Sequence, residues 1–137
     1  MKNDLEKPQK VKENDLEKEG LKGSVKSIRE TEYMLVDKFG KIEKESSFSI
    51  RKIKYDYKGN RTDLLHYKSH DKSETKYIQK YDEKGNQMEG NLYNTDGSLD
   101  KRWTYKYDEK GNQMEWNEYK SDGVLENKTT YKYDDKG

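Results

Sequence analysis

Apolar and polar residues alternate along most of this chain in short stretches punctuated by Asp and Gly, and the alternation repeats at a fixed interval. Tyr55-Asp56-Tyr57-Lys58-Gly59-Asn60 recurs as YDEKGN from Tyr81, again from Tyr107, and as YDDKG from Tyr133, a period of 26 residues. Residues 81–106 and 107–132 are identical at 17 of 26 positions; the unit at 55–80 shares 7 with its successor and has Ser69-His70-Asp71-Lys72-Ser73 where the others carry an Asp-Gly turn. Alternation with period two is the pattern of a strand with one buried face, and each unit holds two turn signals, Asp82-Glu83-Lys84-Gly85 and Thr95-Asp96-Gly97 in the first YDEKGN unit. The repeating object is therefore a β-hairpin. Tandem hairpins predict an all-β antiparallel meander of about eight strands, twisted or curled. Val25–Val36 and Ile42–Tyr55 around Asp37-Lys38-Phe39-Gly40 read as a founding hairpin. A shift in apolar parity between Ile50 and Ile53 predicts a bulge near Arg51 and Lys52.

The domain is expected to span residues 21–137, with units at 55–80, 81–106 and 107–132 and a partial fourth at 133–137, as in a fragment of a longer array. Residues 1–20 differ. Asn3-Asp4-Leu5-Glu6-Lys7 returns as Asn14-Asp15-Leu16-Glu17-Lys18, a spacing that suits either a disordered charged arm or a short helix capped by Asn14.

Strand alternation sorts the side chains onto two faces. Pairing Tyr107 with Asn112 across the turn would place Tyr105 opposite Met114 and Trp103 opposite Trp116, and one period earlier Tyr77 opposite Gly90, where a ring can cover bare strand backbone. Met88, Leu92, Leu99, Trp103, Tyr105, Tyr107, Met114, Trp116, Leu125, Tyr131 and Tyr133 should then share an apolar face, with Tyr93 and Tyr119 on the other. At about 4.8 Å between strands and about 3.3 Å per residue, three hairpins present on the order of 900 Å² of that face, more than monomers usually expose. Cover would come from curling, from the N-terminal segment with Val11, Leu16 and Leu21, from a second copy, or from further repeats.

Composition sharpens this picture. Only 28% of the 137 residues are hydrophobic and 42% are charged; Leu, Ile, Val and Phe number 20, there is no Ala, and 12 Tyr and 2 Trp supply much of the apolar content. A sheet with one apolar face is the architecture such a chain can fill. The 29 basic and 28 acidic residues are interleaved, which gives no basic stripe for nucleic acid. No apolar run is long enough to insert in a membrane or serve as a signal peptide, and the absence of Cys removes disulfides and thiolate chemistry.

The Tyr-Asp-x-x-Gly core over residues 55–137 resembles the YD repeats of the RHS family, which form coiled β-sheets in bacterial surface and toxin-delivery proteins. It is also similar to short repeat proteins of Bacteroidetes, often lipoproteins, with leaders like Leu21-Lys22-Gly23-Ser24-Val25-Lys26-Ser27. Asn60, Asn86 and Asn112 stand where RHS repeats usually carry Arg, and no toxin module is present. The resemblance implies a non-catalytic structural or adhesive module outside the cytoplasm, meeting other repeats, a second copy or another surface protein. The alternative is a carbohydrate- or peptide-binding module in which Trp103, Trp116, Tyr105 and Tyr131 stack on a ligand.

Catalytic and metal chemistry find little footing. His66 and His70 fall on a strand and its turn, the turn aspartates 56, 82, 108 and 134 each stand beside a Lys and suit turn stabilisation, and Glu89 and Glu115 are two strands apart as exposed carboxylates. No cofactor and no enzymatic activity are expected.

Overall fold

The computed structural model describes residues 14–134. The fold is all-β. Eight strands, β1 (Ser27–Lys38), β2 (Lys41–Tyr55), β3 (Arg61–Lys68), β4 (Ser73–Tyr81), β5 (Gln87–Tyr93), β6 (Leu99–Tyr107), β7 (Gln113–Lys120) and β8 (Leu125–Thr130), form one antiparallel sheet in strict chain order. The sheet is an open meander, so β1 and β8 are its edges.

The conserved shape of the first turn in each unit follows from one Asp and one Asn. Asp56 Oδ1 accepts from the Lys58 and Asn60 N–H groups, both at 2.9 Å, and Asp56 Oδ2 from the Asn60 amide at 3.0 Å. Asp82 with Lys84 and Asn86 repeats all three bonds, and Asp108 holds Asn112 in the same two ways. The intervening Gly59, Gly85 and Gly111 have φ of 81° to 85°, the left-handed conformation that favours glycine. Asn after the glycine is therefore a closing residue of the loop. Asn60 and Asn86 are buried, each lying under the turn of the following unit, whereas Asn112 is only partly covered.

This loop corrects the expected register. Because Asn86 and Asn112 belong to the turns, Tyr81 pairs with Gln87 and Tyr107 with Gln113, and a bulge follows at once, leaving Met88 and Met114 unpaired. Beyond it Tyr105 faces Trp116 and Trp103 faces Glu118, so neither the Tyr105–Met114 nor the Trp103–Trp116 pairing forms. Gly90 lies opposite Gln79, and Tyr77 opposite Leu92. The Tyr77 ring nevertheless covers Gly90 diagonally: a Cβ built there would lie 2.3 Å from its hydroxyl. The bulge expected at Arg51 and Lys52 is absent, since Ile28 to Tyr33 pair regularly with Ile53 to Phe48. Ile50 and Ile53 therefore point to opposite faces, and the bulges fall outside them, at Tyr33/Leu35 and at Lys54/Tyr55.

The densest packing lies at the N-terminal end. Asn14 caps a single helical turn, α1 (Asp15–Lys18), through a reciprocal capping box with Glu17. Leu16 on that turn is buried against Ile53 and Tyr55, with Leu21, Val25, Ile28 and Leu64 around them. Burying such a leucine contributes about 1.5–3 kcal/mol. Val11 and Leu5 lie outside the described residues. Ile28, Ile53, Leu64, Tyr77, Leu92, Trp103, Tyr105 and Trp116 are linked through the strand register and share one face, here face A. Thus the cover that α1 begins lies over face A of β1–β3.

Candidate functional site

Over β4–β8, face A is an aromatic surface with no second layer. Trp103 on β6 stands between Gly90 and Glu118, with its ring edge-on to Tyr77 at 5.9 Å between centroids. Tyr105 and Trp116 are direct cross-strand partners, and the Tyr105 hydroxyl meets Tyr77; burial and that neighbour push its ionisation up to about 12. All four rings are half-buried. Tyr131 follows β8, is exposed, and donates its backbone N–H to the Met114 carbonyl at 2.9 Å. Met88 and Met114, expected on this face, sit at bulges and are exposed, and Leu99 and Leu125, expected here too, pair with Tyr93 and Tyr119 of the opposite face.

Polar groups frame the rings. Arg61 Nε donates to Gln79, the Gln79 amide to Gln87, and the Gln87 amide to the Tyr77 hydroxyl, at 3.0–3.1 Å. Glu118 is buried at 8% exposure and is the residue that alternation alone did not reveal. It takes hydrogen bonds from Lys101, Asn127 and Trp103, which hold its carboxyl below the usual range, the Lys101 bond foremost. The only available signal was the register: one bulge moved Trp103 from Trp116 to Glu118.

The opposite face, face B, is ionic along the same strands. Glu89 lies between Lys80 and Arg102, and Glu115 between Lys106 and Lys128 at 3.0 and 2.9 Å. Each also accepts from the Asn two residues on, Asn91 or Asn117, both buried. The Asn117 amide, followed by Lys128 and Lys106, holds the Glu115 carboxyl down at about 2. These glutamates are therefore centres of cation ladders, not the loose carboxylates that strand spacing suggested. Tyr119 lies on this face under Arg102. Farther back, Tyr33, Phe48 and Tyr67 form a tilted row on face B, so apolar surface changes sides along the sheet. Beyond that row the β1–β2 hairpin projects as a two-stranded finger with Met34, Leu35, Phe39 and Ile42 exposed.

His66 pairs with Arg51 and Thr75, while His70 in the next turn contacts Asp71 at 3.3 Å. Among the described residues no group of three or more His, Cys, Asp or Glu is placed to hold a metal ion, and no helix is long and apolar enough to cross a membrane. No family model, curated protein or solved structure matches this chain.

Proposed function

We propose that the protein is a non-catalytic repeat module that presents face A of β4–β8 to another protein. One observation carries this reading: β4, β6 and β7 offer Tyr77, Trp103, Tyr105 and Trp116 on a face without cover, while most charges of β4–β8 lie on the other face. Protein interfaces are enriched in Tyr and Trp and depleted of charge at their centres. The placement outside the cytoplasm, as a surface or periplasmic module, rests on the resemblance of the YD units to RHS-type repeats.

A photo-crosslinking residue at Gln113, on face A, should yield a protein adduct in producing cells, and one at Lys128, on face B, should not. Equal adducts from both faces, or none from Gln113, would overturn the reading.

The alternative is a glycan- or peptide-binding face built on Trp103, Trp116, Tyr105 and Tyr131. The row of half-buried rings supports it. The commitment of Trp103 to Tyr77 and Glu118 favours packing instead. Tryptophan emission that shifts and quenches on adding oligosaccharide supports the alternative; emission indifferent to a glycan panel counts against it.

A further inference from the structure

Three features of face A, taken together, point to one occupant. The first is charge. Between β4 and β8, face B carries Glu74, Lys76, Lys80, Glu89, Arg102, Lys106, Glu115 and Lys128, whereas face A is uncharged except at its second-turn end. There Lys101 and Lys120 face each other, and Lys101 is bridged to both Glu118 and Glu126. Asp100, one period before Glu126 and likewise skipped by a register shift, lies at the same end, so two cations and three carboxylates leave it within one charge of balance. A copy of the same surface laid against it meets little excess of like charge.

The second feature is extent. Five strands about 4.8 Å apart and about eight residues long cover on the order of 600 Å². Two such faces together remove about 1,200 Å², the lower bound for specific protein interfaces. The third is precedent within the fold. Over β2 and β3 the same face is already covered, by Leu16 and its neighbours, and Asp15 ends that cover by accepting from the Tyr81 hydroxyl at 3.0 Å. Face A is thus covered up to the edge of β4 and bare beyond it, so a second sheet seated there continues a layer that α1 begins.

We propose that two copies of this chain pair through face A of β4–β8, their sheets stacked about 10 Å apart across a twofold axis as in a β-sandwich. This rests on the reading of face A as a protein-contact surface and names a second copy as the protein. Trp103 and Trp116 lie within the contact, and Thr129, the cross-strand partner of Trp116, lies at its margin. Thr130, paired with Glu115, lies on the other face.

The test is mass in solution by light scattering and sedimentation equilibrium, from about 5 to about 500 µM, where an interface near the lower size limit is expected to associate. The wild-type chain should rise to twice its 16.4 kDa, with tryptophan emission moving to shorter wavelength over the same range. Thr129→Lys should stay monomeric with an unchanged far-UV spectrum and emission indifferent to concentration, and Thr130→Lys should dimerise like wild type. A wild-type monomer at the highest concentration overturns the pairing, as does a dimer that Thr129→Lys leaves intact. If Thr129→Lys unfolds, Asn127→Lys, also on face A, replaces it under the same criteria. A monomer that still gives the Gln113 crosslink to a different protein sinks the self-pairing and spares the contact surface; loss of that crosslink sinks both.

Discussion

The Tyr81 hydroxyl donates to the carbonyl oxygen of Arg61 at 2.9 Å, twenty residues back in the chain. Tyr107 makes the same bond to Gln87 and Tyr133 to Gln113, at 2.9 and 2.8 Å. Tyr55 ends β2 beside the start of β1, but its hydroxyl goes to Glu19 at 2.6 Å; Asp15, besides meeting Tyr81, accepts the Arg61 N–H at 2.8 Å. At Tyr55, a residue beside α1 therefore takes the bond that a carbonyl of the neighbouring strand takes at the later tyrosines. Tyr107→Phe, which keeps the ring and removes the bond, should cost about 1 kcal/mol in urea unfolding. A variant as stable as wild type would show that ring packing alone joins the hairpins.

Gly90 separates two effects of glycine. Its φ is ordinary, but a methyl group there would lie 2.3 Å from the Tyr77 hydroxyl and 2.9 Å from Cζ; Gly97 has φ of 83° and open space around it. Gly90→Ala should cost about 2–3 kcal/mol by overpacking and Gly97→Ala about 1 kcal/mol by backbone strain. Tyr77→Ser should destabilise more than Tyr93→Ser, because Tyr77 packs on both Gly90 and Trp103. Thermal melting of the four variants tests the order, and equal melting temperatures for the two tyrosine variants would refute the face assignment.

Lys72 has φ of 55°, a left-handed conformation costly for a lysine, in the one hairpin whose second turn lacks Asp-Gly. Lys72→Gly should raise stability by up to about 1 kcal/mol, the gain from relieved strain exceeding the added chain entropy. A lower melting temperature would contradict this.

Acid should unfold the sheet. Burial raises the Asp82 carboxyl, but bonds from Asn86 and Lys84 outweigh it and leave it low; the Asn112 N–H lowers Asp108, and the Asn91 amide and Lys80 lower Glu89. Groups depressed in the folded state contribute stability that is present above their unfolded values, about 3.9 for Asp and 4.3 for Glu, and is lost as pH falls through the folded values. The melting temperature should therefore decline steadily from about pH 5 toward pH 2, and less steeply in Asp82→Asn. A melting temperature flat over that interval would contradict the assignment.

Period and turn chemistry made the meander legible in the sequence, because a Tyr-Asp-x-Lys-Gly-Asn loop repeated every 26 residues leaves little freedom in where strands begin. The division into an aromatic and an ionic face over β4–β7 was legible for the same reason. Pairing was not. Whether Asn112 ends the turn or starts the strand depends on a side-chain bond to Asp108, and that single residue decides whether Trp103 meets Trp116 or Glu118. The aromatic row on face B at Tyr33, Phe48 and Tyr67 was hidden by the bulges around it, which interrupt the alternation that would have marked it.

Each tyrosine bond reaches only the strand before it, and each strand pairs only with its chain neighbours. Drawn along the chain, such a sheet gives way one hairpin at a time, each 26-residue unit releasing on the order of 90 Å of chain before the next bears the load. A tether of this design lengthens in regular increments and sheds force with each one.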